Sequence, residues 1–268
     1  TKLQLTLIIQ KFLLFFLLLI LFSTFFEIPF LNCFNFLSSS RNQMAWRSHG
    51  TSNFELVQNL FKNRMFKSDA VRKAMVAVDR ADFVDTDPYM DCPQPIGYGA
   101  TISAPHMHAA ALEALVDKID PEKNPKILDI GSGSGYLTAC FAVLAGPNGK
   151  TIGIEHMEQL AKKSILNLKK HHSDKLDQGQ IEIIAADGRQ GYPQGGPYDA
   201  IHVGAAAPEM PETLIQQLKN GGRMVIPVGH RFQEFVQVDK TPDGKVEKRK
   251  LMDVIYVPLT SQEHQLNR

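Results

Sequence analysis

The stretch Lys126-Ile-Leu-Asp-Ile-Gly-Ser-Gly-Ser-Gly-Tyr136 constrains the fold of this chain more than any other. Ile127 to Ile130 is a short apolar run, which predicts a buried parallel strand. Glycines follow at alternate positions, Gly131, Gly133 and Gly135, and then a helix-like run from Tyr136 to Ala145. Glycines between a strand and a helix permit a tight turn and the close approach of a ligand. The same turn occurs in doubly wound proteins that bind nothing there, so it does not assign a cofactor by itself.

Spacing narrows the choice. A dinucleotide fingerprint needs glycine at G-x-G-x-x-G. Counted from Gly131 the third glycine would fall on Tyr136, and counted from Gly133 on Thr138. The pattern is G-x-G-x-G instead, with Asp129 two residues ahead of it. A second apolar run, Thr151 to Glu155, ends in an acid 24 positions after Gly131, where a ribose-binding carboxylate belongs. A third run, Ile181 to Ala186, leads into Asp187-Gly188. A glycine turn followed by two strand-end acids points to S-adenosyl-L-methionine. Its ribose hydroxyls and adenine amino group are donors, and it carries no phosphate to demand a Lys or Arg.

The rest of the chain supplies the frame. Ser52 to Phe61 and Ser68 to Val78 have helical spacing, with Leu56, Val57, Leu60 and Phe61 on one side of the first and Ser68-Asp69 as a cap for the second. Pro88 to Pro105 reads as a long irregular segment, and Met107 to Val116 as a helix. After the glycine loop, strands and helices alternate through Asp199–Val203, a helix around Thr213 to Leu218, and a strand Arg223 to Val228. Such alternation predicts an α/β fold with a mostly parallel, doubly wound sheet. Glu234 to Val238 and Val246 to Pro258, joined through Pro242-Asp243-Gly244, predict an antiparallel C-terminal addition at one edge.

Composition excludes several classes. The 268 residues suffice for one sizeable core, and the formal charge is +1. Residues 1–43 carry Lys2, Lys11, Arg41 and Glu27, so the remainder stands at −1. No basic face is expected, and with it no nucleic-acid partner. Cys33, Cys92 and Cys140 lack pairing or metal spacing, which suits a reducing compartment. His106 and His108 have no third ligand at suitable spacing, so no metal is expected. Cys140 reads as an apolar filler in the first core helix, and His202 as a core histidine as readily as a site residue.

The front differs. Phe12 to Phe22 is an unbroken run of Phe, Leu and Ile preceded by Lys2 and Lys11. Residues 1–43 read as a signal peptide or short signal anchor, or as leader sequence translated from upstream of Met44. No Asn-x-Ser/Thr site supports secretion.

Four blocks together resemble the protein-L-isoaspartate (D-aspartate) O-methyltransferase family: Ala100-Thr-Ile-Ser-Ala-Pro-His-Met-His108, Asp129 to Gly135, Tyr198-Asp-Ala-Ile-His-Val-Gly-Ala-Ala-Ala-Pro208, and Val254-Ile-Tyr-Val-Pro-Leu-Thr260. The similarity runs from Met44 to about Gln265, and Met44-Ala-Trp-Arg-Ser resembles the start of the animal cytosolic enzyme. The resemblance implies a Rossmann-like S-adenosylmethionine-dependent methyltransferase fold. It implies one domain over 44–268, with N-terminal helices and a substrate loop in 44–120 and the cofactor core in 121–268. It implies a cytosolic enzyme, expected to be a monomer, that methylates the α-carboxyl of L-isoaspartyl and D-aspartyl residues in damaged proteins. A methyltransferase for another acceptor and a catalytically silent adaptor of the same fold remain as alternatives.

The resemblance also assigns residues. Ser103 takes the acceptor side. The cofactor side comprises Ile102, Ala104, Pro105, His108, Asp129, Gly131, Ser132, Gly133, Ser134, Gly135, Glu155, His156, Asp187, Gly188, Thr260 and Gln265. Asp129 is read as orienting the loop and helping to hold the amino group of the cofactor. The family often has Asp where this chain has Glu155, and the longer carboxylate should still reach a ribose diol. Ser103-Ala104-Pro105 has the form of a helix start, whose free N–H groups would attract a carboxylate, and the plain alternative is that Ser103 only caps the helix.

Overall fold

Two helices open the part of the chain that the computed structural model describes, residues 48–266. The signal, anchor or leader expectation for residues 1–43 lies outside them. Ser52 caps α1 (Asn53–Lys62): its Oγ accepts the Glu55 N–H at 3.2 Å, and the Glu55 carboxylate accepts the Thr51 N–H at 2.7 Å. This is a capping box with its return bond shifted by one residue. Leu56, Val57 and Leu60 are buried as their spacing predicts, whereas Phe61 stays 38% exposed. At α2 (Asp69–Ala77) the expected cap is corrected. The Ser68 side chain makes no cap bond, and its N–H instead reaches the Glu113 carboxylate at 3.0 Å.

The segment expected to be irregular contains a small hairpin, β1 (Gln94–Gly97) with β2 (Ala100–Ile102). Tyr98 and Gly99 form its turn with φ of 53° and 68°. Two successive positive φ values match the twist of a two-residue hairpin, which a Tyr-Gly pair signals poorly. The hairpin delivers the chain into α3 (Pro105–Leu115), where Pro105 occupies the first helical position.

The core alternates as predicted: β3 (Lys126–Ile130), α4 (Tyr136–Ala145), β4 (Lys150–Glu155), α5 (Glu158–His171), α6 (Ser173–Asp177), β5 (Ile181–Ala185), β6 (Tyr198–Val203), α7 (Glu212–Gln216) and β7 (Leu218–Val228). Then come β8 (Gln233–Lys240), β9 (Val246–Val254) and α8 (Gln262–Leu266). The strands lie in the order β5-β4-β3-β6-β7-β8-β9. The first five are mutually parallel and the last two antiparallel. β7 starts at Leu218 rather than Arg223, because its register against β6 slips between Tyr198 and Ala200 around Lys219–Gly222. Gly221 there has φ 88°, a bulge that the paired glycines permit.

Alternation across the sheet sorts the interior into two layers. Ile127, Ala200 and Val225 pack with α1 to α4. Leu128, Ile130, Ile201, Val203, Met224 and Ile226 pack on the other face with Leu214 and Ile215 of α7. Asp129 and His202 share the first face. Among the described residues no helix is long and apolar enough to cross a membrane.

Candidate active site

Chain order runs outward in opposite directions from the β3–β6 pair, and such a switch point opens a crevice at the carboxyl ends of the strands. The glycine loop lies in it. Gly131, Gly133 and Gly135 have φ of 73°, 52° and 89°, conformations costly for any other residue. The Gly131 and Ser132 N–H groups donate to the Ile154 carbonyl at 2.8 and 3.0 Å, which pins the loop to β4. Opposite, a β-carbon on Gly188 would stand 2.5 Å from Ile130 Cγ2, so the chain after β5 approaches β3 only as glycine.

Two adjoining cavities flank the loop and share Thr101, Gly131, Gly133 and Gly204. The larger, about 550 Å³ including its open mouth, is also lined by Glu155, His156, Asp187, Gly188, Thr260 and Gln265. The smaller, about 350 Å³, is also lined by Ile102, Ser103, His108, Asp129, Ser132 and Ser134. Ala104, Pro105 and Gly135 line neither. The first two are buried at the start of α3, and a β-carbon on Gly135 would meet Ser164 of α5 at 3.2 Å. These three therefore shape the site from behind.

Glu155 is buried at the end of β4. Oε2 accepts the Gly133 N–H at 3.1 Å and Oε1 accepts the Met157 N–H at 2.9 Å. Burial pushes its pKa above the ordinary carboxylate range, against the lowering by these backbone donors. Each oxygen keeps lone-pair capacity for one more donor. His156 Nε2 lies 2.8 Å from Gln265 Oε1, and Gln265 Nε2 donates to the Tyr98 carbonyl at 2.8 Å. Asp187 also lines the cavity, yet its carboxylate is held by Arg189 at 2.6 Å, which keeps its pKa below the usual range. Asp129 is satisfied on both sides: Oδ2 accepts the Thr138 hydroxyl at 2.5 Å, and Oδ1 lies 2.8 Å from His202 Nδ1.

The start of α3 corrects two expectations. The N-cap is Ala104, so Ser103 does not cap the helix. Nor is the first N–H free: the buried Asp91 carboxylate accepts the His106 N–H at 3.0 Å and lies 2.8 Å from His106 Nδ1. The chain thus supplies its own anion at this helix end. Ser103 is half-buried, its hydroxyl beside the Tyr256 phenol, whose pKa burial pushes up. Its carbonyl accepts Arg80 Nη2–H at 2.8 Å.

The sequence profile of protein-L-isoaspartate(D-aspartate) O-methyltransferase matches residues 51–264. The chain belongs to this family. A protein-L-isoaspartate O-methyltransferase of Caenorhabditis elegans is 53% identical over 227 residues, 84% of this chain and all of the relative. Protein-L-isoaspartate O-methyltransferase 1 of Arabidopsis thaliana is 51% identical over 217 residues, 80% of this chain and 94% of the relative. A solved Plasmodium falciparum chain, provisionally described as a member and in complex with S-adenosyl-L-homocysteine, has a TM-score of 0.74 at 34% identity, covering 79% of this chain and 99% of its own. Within the family frame, sequence reasoning passed over Arg80, Asp91, Thr101 and Tyr256. Gly204 lies in the Tyr198–Pro208 stretch and is legible there as the glycine ending a strand beside the loop. Arg80, a lone basic residue between Asp79 and Ala81, carries no sequence signal.

Proposed function

We propose that this chain transfers a methyl group from S-adenosyl-L-methionine to the α-carboxyl of L-isoaspartyl and D-aspartyl residues in damaged proteins. The observation that carries this reading is the placement of Ser103 and Glu155 on opposite sides of one glycine loop, in a chain of this family. The residues present suit the cofactor. A buried carboxylate has lone pairs left for a ribose diol, glycines floor the crevice where side chains would intrude, and neither cavity is lined by Lys or Arg.

Glu155 would hold the ribose, Asp187 and Gly188 the adenine end, and Ser132, Ser134 and His108 the polar end, with Thr260 and Gln265 closing the mouth. When bound, S-adenosyl-L-methionine supplies an electrophilic methyl group on a sulfonium. The acceptor carboxylate is ionised at neutral pH, so the chain needs no general base. Its task is alignment and the exclusion of water. Ser103 is assigned the acceptor oxygen, to which its hydroxyl donates. The next backbone nitrogen can attack the α-methyl ester, losing its proton as the ester C–O bond breaks and methanol leaves, and hydrolysis of the resulting succinimide returns part of the chain to normal aspartate.

Residues 44–268 are proposed to act as a single methyltransferase domain, monomeric and cytosolic, on protein and peptide substrates without nucleic acid. The body charge of −1 supports the last point. The test is tritiated methyl transfer to matched isoaspartyl and aspartyl peptides. Transfer to the isoaspartyl peptide alone is expected. Equal transfer to both would mean another acceptor, and none at all with retained S-adenosyl-L-homocysteine binding would mean a silent member.

A further inference from the structure

Arg80 is the largest fully buried side chain among the described residues, at 0% exposure, and no carboxylate there lies within ion-pair distance of it. A buried cation with no carboxylate in contact, only the charge of Asp91 acting on it from further off, is costly and needs a compensating set of contacts. Its contacts are specific. Nη1 lies 3.2 Å from His108 Nδ1, Nη2 donates to the Ser103 carbonyl at 2.8 Å, and the guanidinium carbon stands 5.5 Å from the centre of the Tyr136 ring. Burial pushes the guanidinium pKa down to about 10, which leaves it charged at neutral pH. A guanidinium has donors only, so the ring nitrogen it meets on His108 must be the acceptor. The proton of the neutral imidazole then sits on Nε2, which has no hydrogen-bond partner among the described residues, on a residue that lines the smaller cavity.

We infer that Arg80 is a positioning residue that sets two donors of the smaller cavity, the His108 ring N–H on its cofactor side and the Ser103 hydroxyl on its acceptor side. It locks His108 as the Nε2–H tautomer and clamps the backbone that carries the Ser103 hydroxyl. The inference rests on the proposed function for what those donors serve, but the tautomer lock follows from the geometry alone. The groups around the imidazole reinforce it. Arg80 faces it from the turn after α2, the Tyr136 ring of α4 lies tilted against it with centroids 4.9 Å apart, His202 approaches from β6, and His106 lies on its own helix. None of these is an anion, so a protonated His108 would place a second cation beside the first. Burial, and then Arg80, hold its pKa well below the ordinary histidine value.

The test is a long-range ¹⁵N–¹H correlation spectrum of the His108 ring in the full chain, recorded on both sides of the ordinary histidine pKa of about 6.5. A neutral Nε2–H ring throughout is expected. An Nδ1–H ring, or one that titrates at the ordinary value, overturns the inference. In Arg80→Met the ring should become a mixture of tautomers that titrates, and turnover on an isoaspartyl peptide should fall roughly a hundredfold, as when an aligned donor is lost. Arg80→Lys keeps the charge but can serve only one of the two partners, so it should recover part of that turnover. A folded Arg80→Met with unchanged tautomer and turnover sinks the proposal. If Arg80→Met does not fold, the spectrum of the unsubstituted chain still decides. The two readings fail differently: absent methyl transfer by the unsubstituted chain counts against the function, whereas a wrong tautomer counts against Arg80.

Discussion

His202 and Asp129 stand directly opposite each other on neighbouring parallel strands, with Nδ1 and Oδ1 2.8 Å apart. Both are buried at the base of the smaller cavity, so the imidazole N–H donates to a carboxylate largely shielded from water. Thr138 completes the pair by donating to Oδ2 from the first turn of α4. Strand, helix and neighbouring strand are thereby joined at one carboxylate beneath the crevice. Removing one donor leaves a buried charge partly unsatisfied. Thr138→Val, which keeps the shape, is expected to lower stability by about 1–3 kcal/mol in urea unfolding. An unchanged unfolding midpoint would mean that the bond contributes nothing net.

Glu155 makes cofactor binding depend on pH. Its folded-state pKa is raised above 4.5, chiefly by burial. Its contribution to stability is thus fully present below the unfolded value and is lost as pH rises through the raised one. Ribose hydroxyls donating to the carboxylate favour the charged form, so binding draws the pKa down and releases a proton. Affinity for S-adenosyl-L-homocysteine should fall as pH drops through the raised pKa. Calorimetry in buffers of different ionisation enthalpy should detect the proton, and Glu155→Gln should abolish it. Glu155→Ala should weaken binding by roughly 1.5–3 kcal/mol. Equal affinity would place the ribose elsewhere.

Ser103→Ala now tests a narrower question, since Ser103 does not cap α3. The fold should survive, because the helix start is held by Asp91 and Pro105. Turnover on an isoaspartyl peptide should drop by about 2.7–4 kcal/mol of transition-state stabilisation, while cofactor affinity barely moves. A joint collapse of affinity and turnover would shift Ser103 to the cofactor side.

Gly188→Ala should do more damage than its size suggests. Its new methyl would press on Ile130 at 2.5 Å, in β3, an interior strand of the sheet. Overpacking of this kind costs about 1–3 kcal/mol. Thermal unfolding should register that loss, and Ile130→Leu, which removes the Cγ2 branch that the methyl meets, should recover part of it. Failure to recover would mean that the strain falls elsewhere.

The parallel core was legible because its strands are buried on both faces and read as apolar runs punctuated by glycine. Its edge hairpin was legible because Pro242-Asp243-Gly244 is a strong turn signal. The β1–β2 hairpin was not, since Tyr98 adopts a positive φ that its side chain does not advertise. Within the site, Glu155 and the loop glycines were readable from spacing, as strand ends recur at set intervals. Ser103, His108, Thr260 and Gln265 were reached only by resemblance. Asp91 and Arg80 were missed because they act across distances in sequence that no local pattern spans. The anion at α3 comes from 15 residues upstream and the cation behind Ser103 from 23.

Gln265 has a consequence for how the protein comes into being. It ties His156 to the Tyr98 turn across separations of 109 and 167 residues. Every strand of the sheet ends at or before Val254, so this stitch is made only after the residues of all of them have been synthesised. A chain cut short before Gln265 would lack both of these bonds at the mouth of the larger cavity. Closing of the cofactor mouth would then be a late event of assembly, following the strands that build the crevice beneath it.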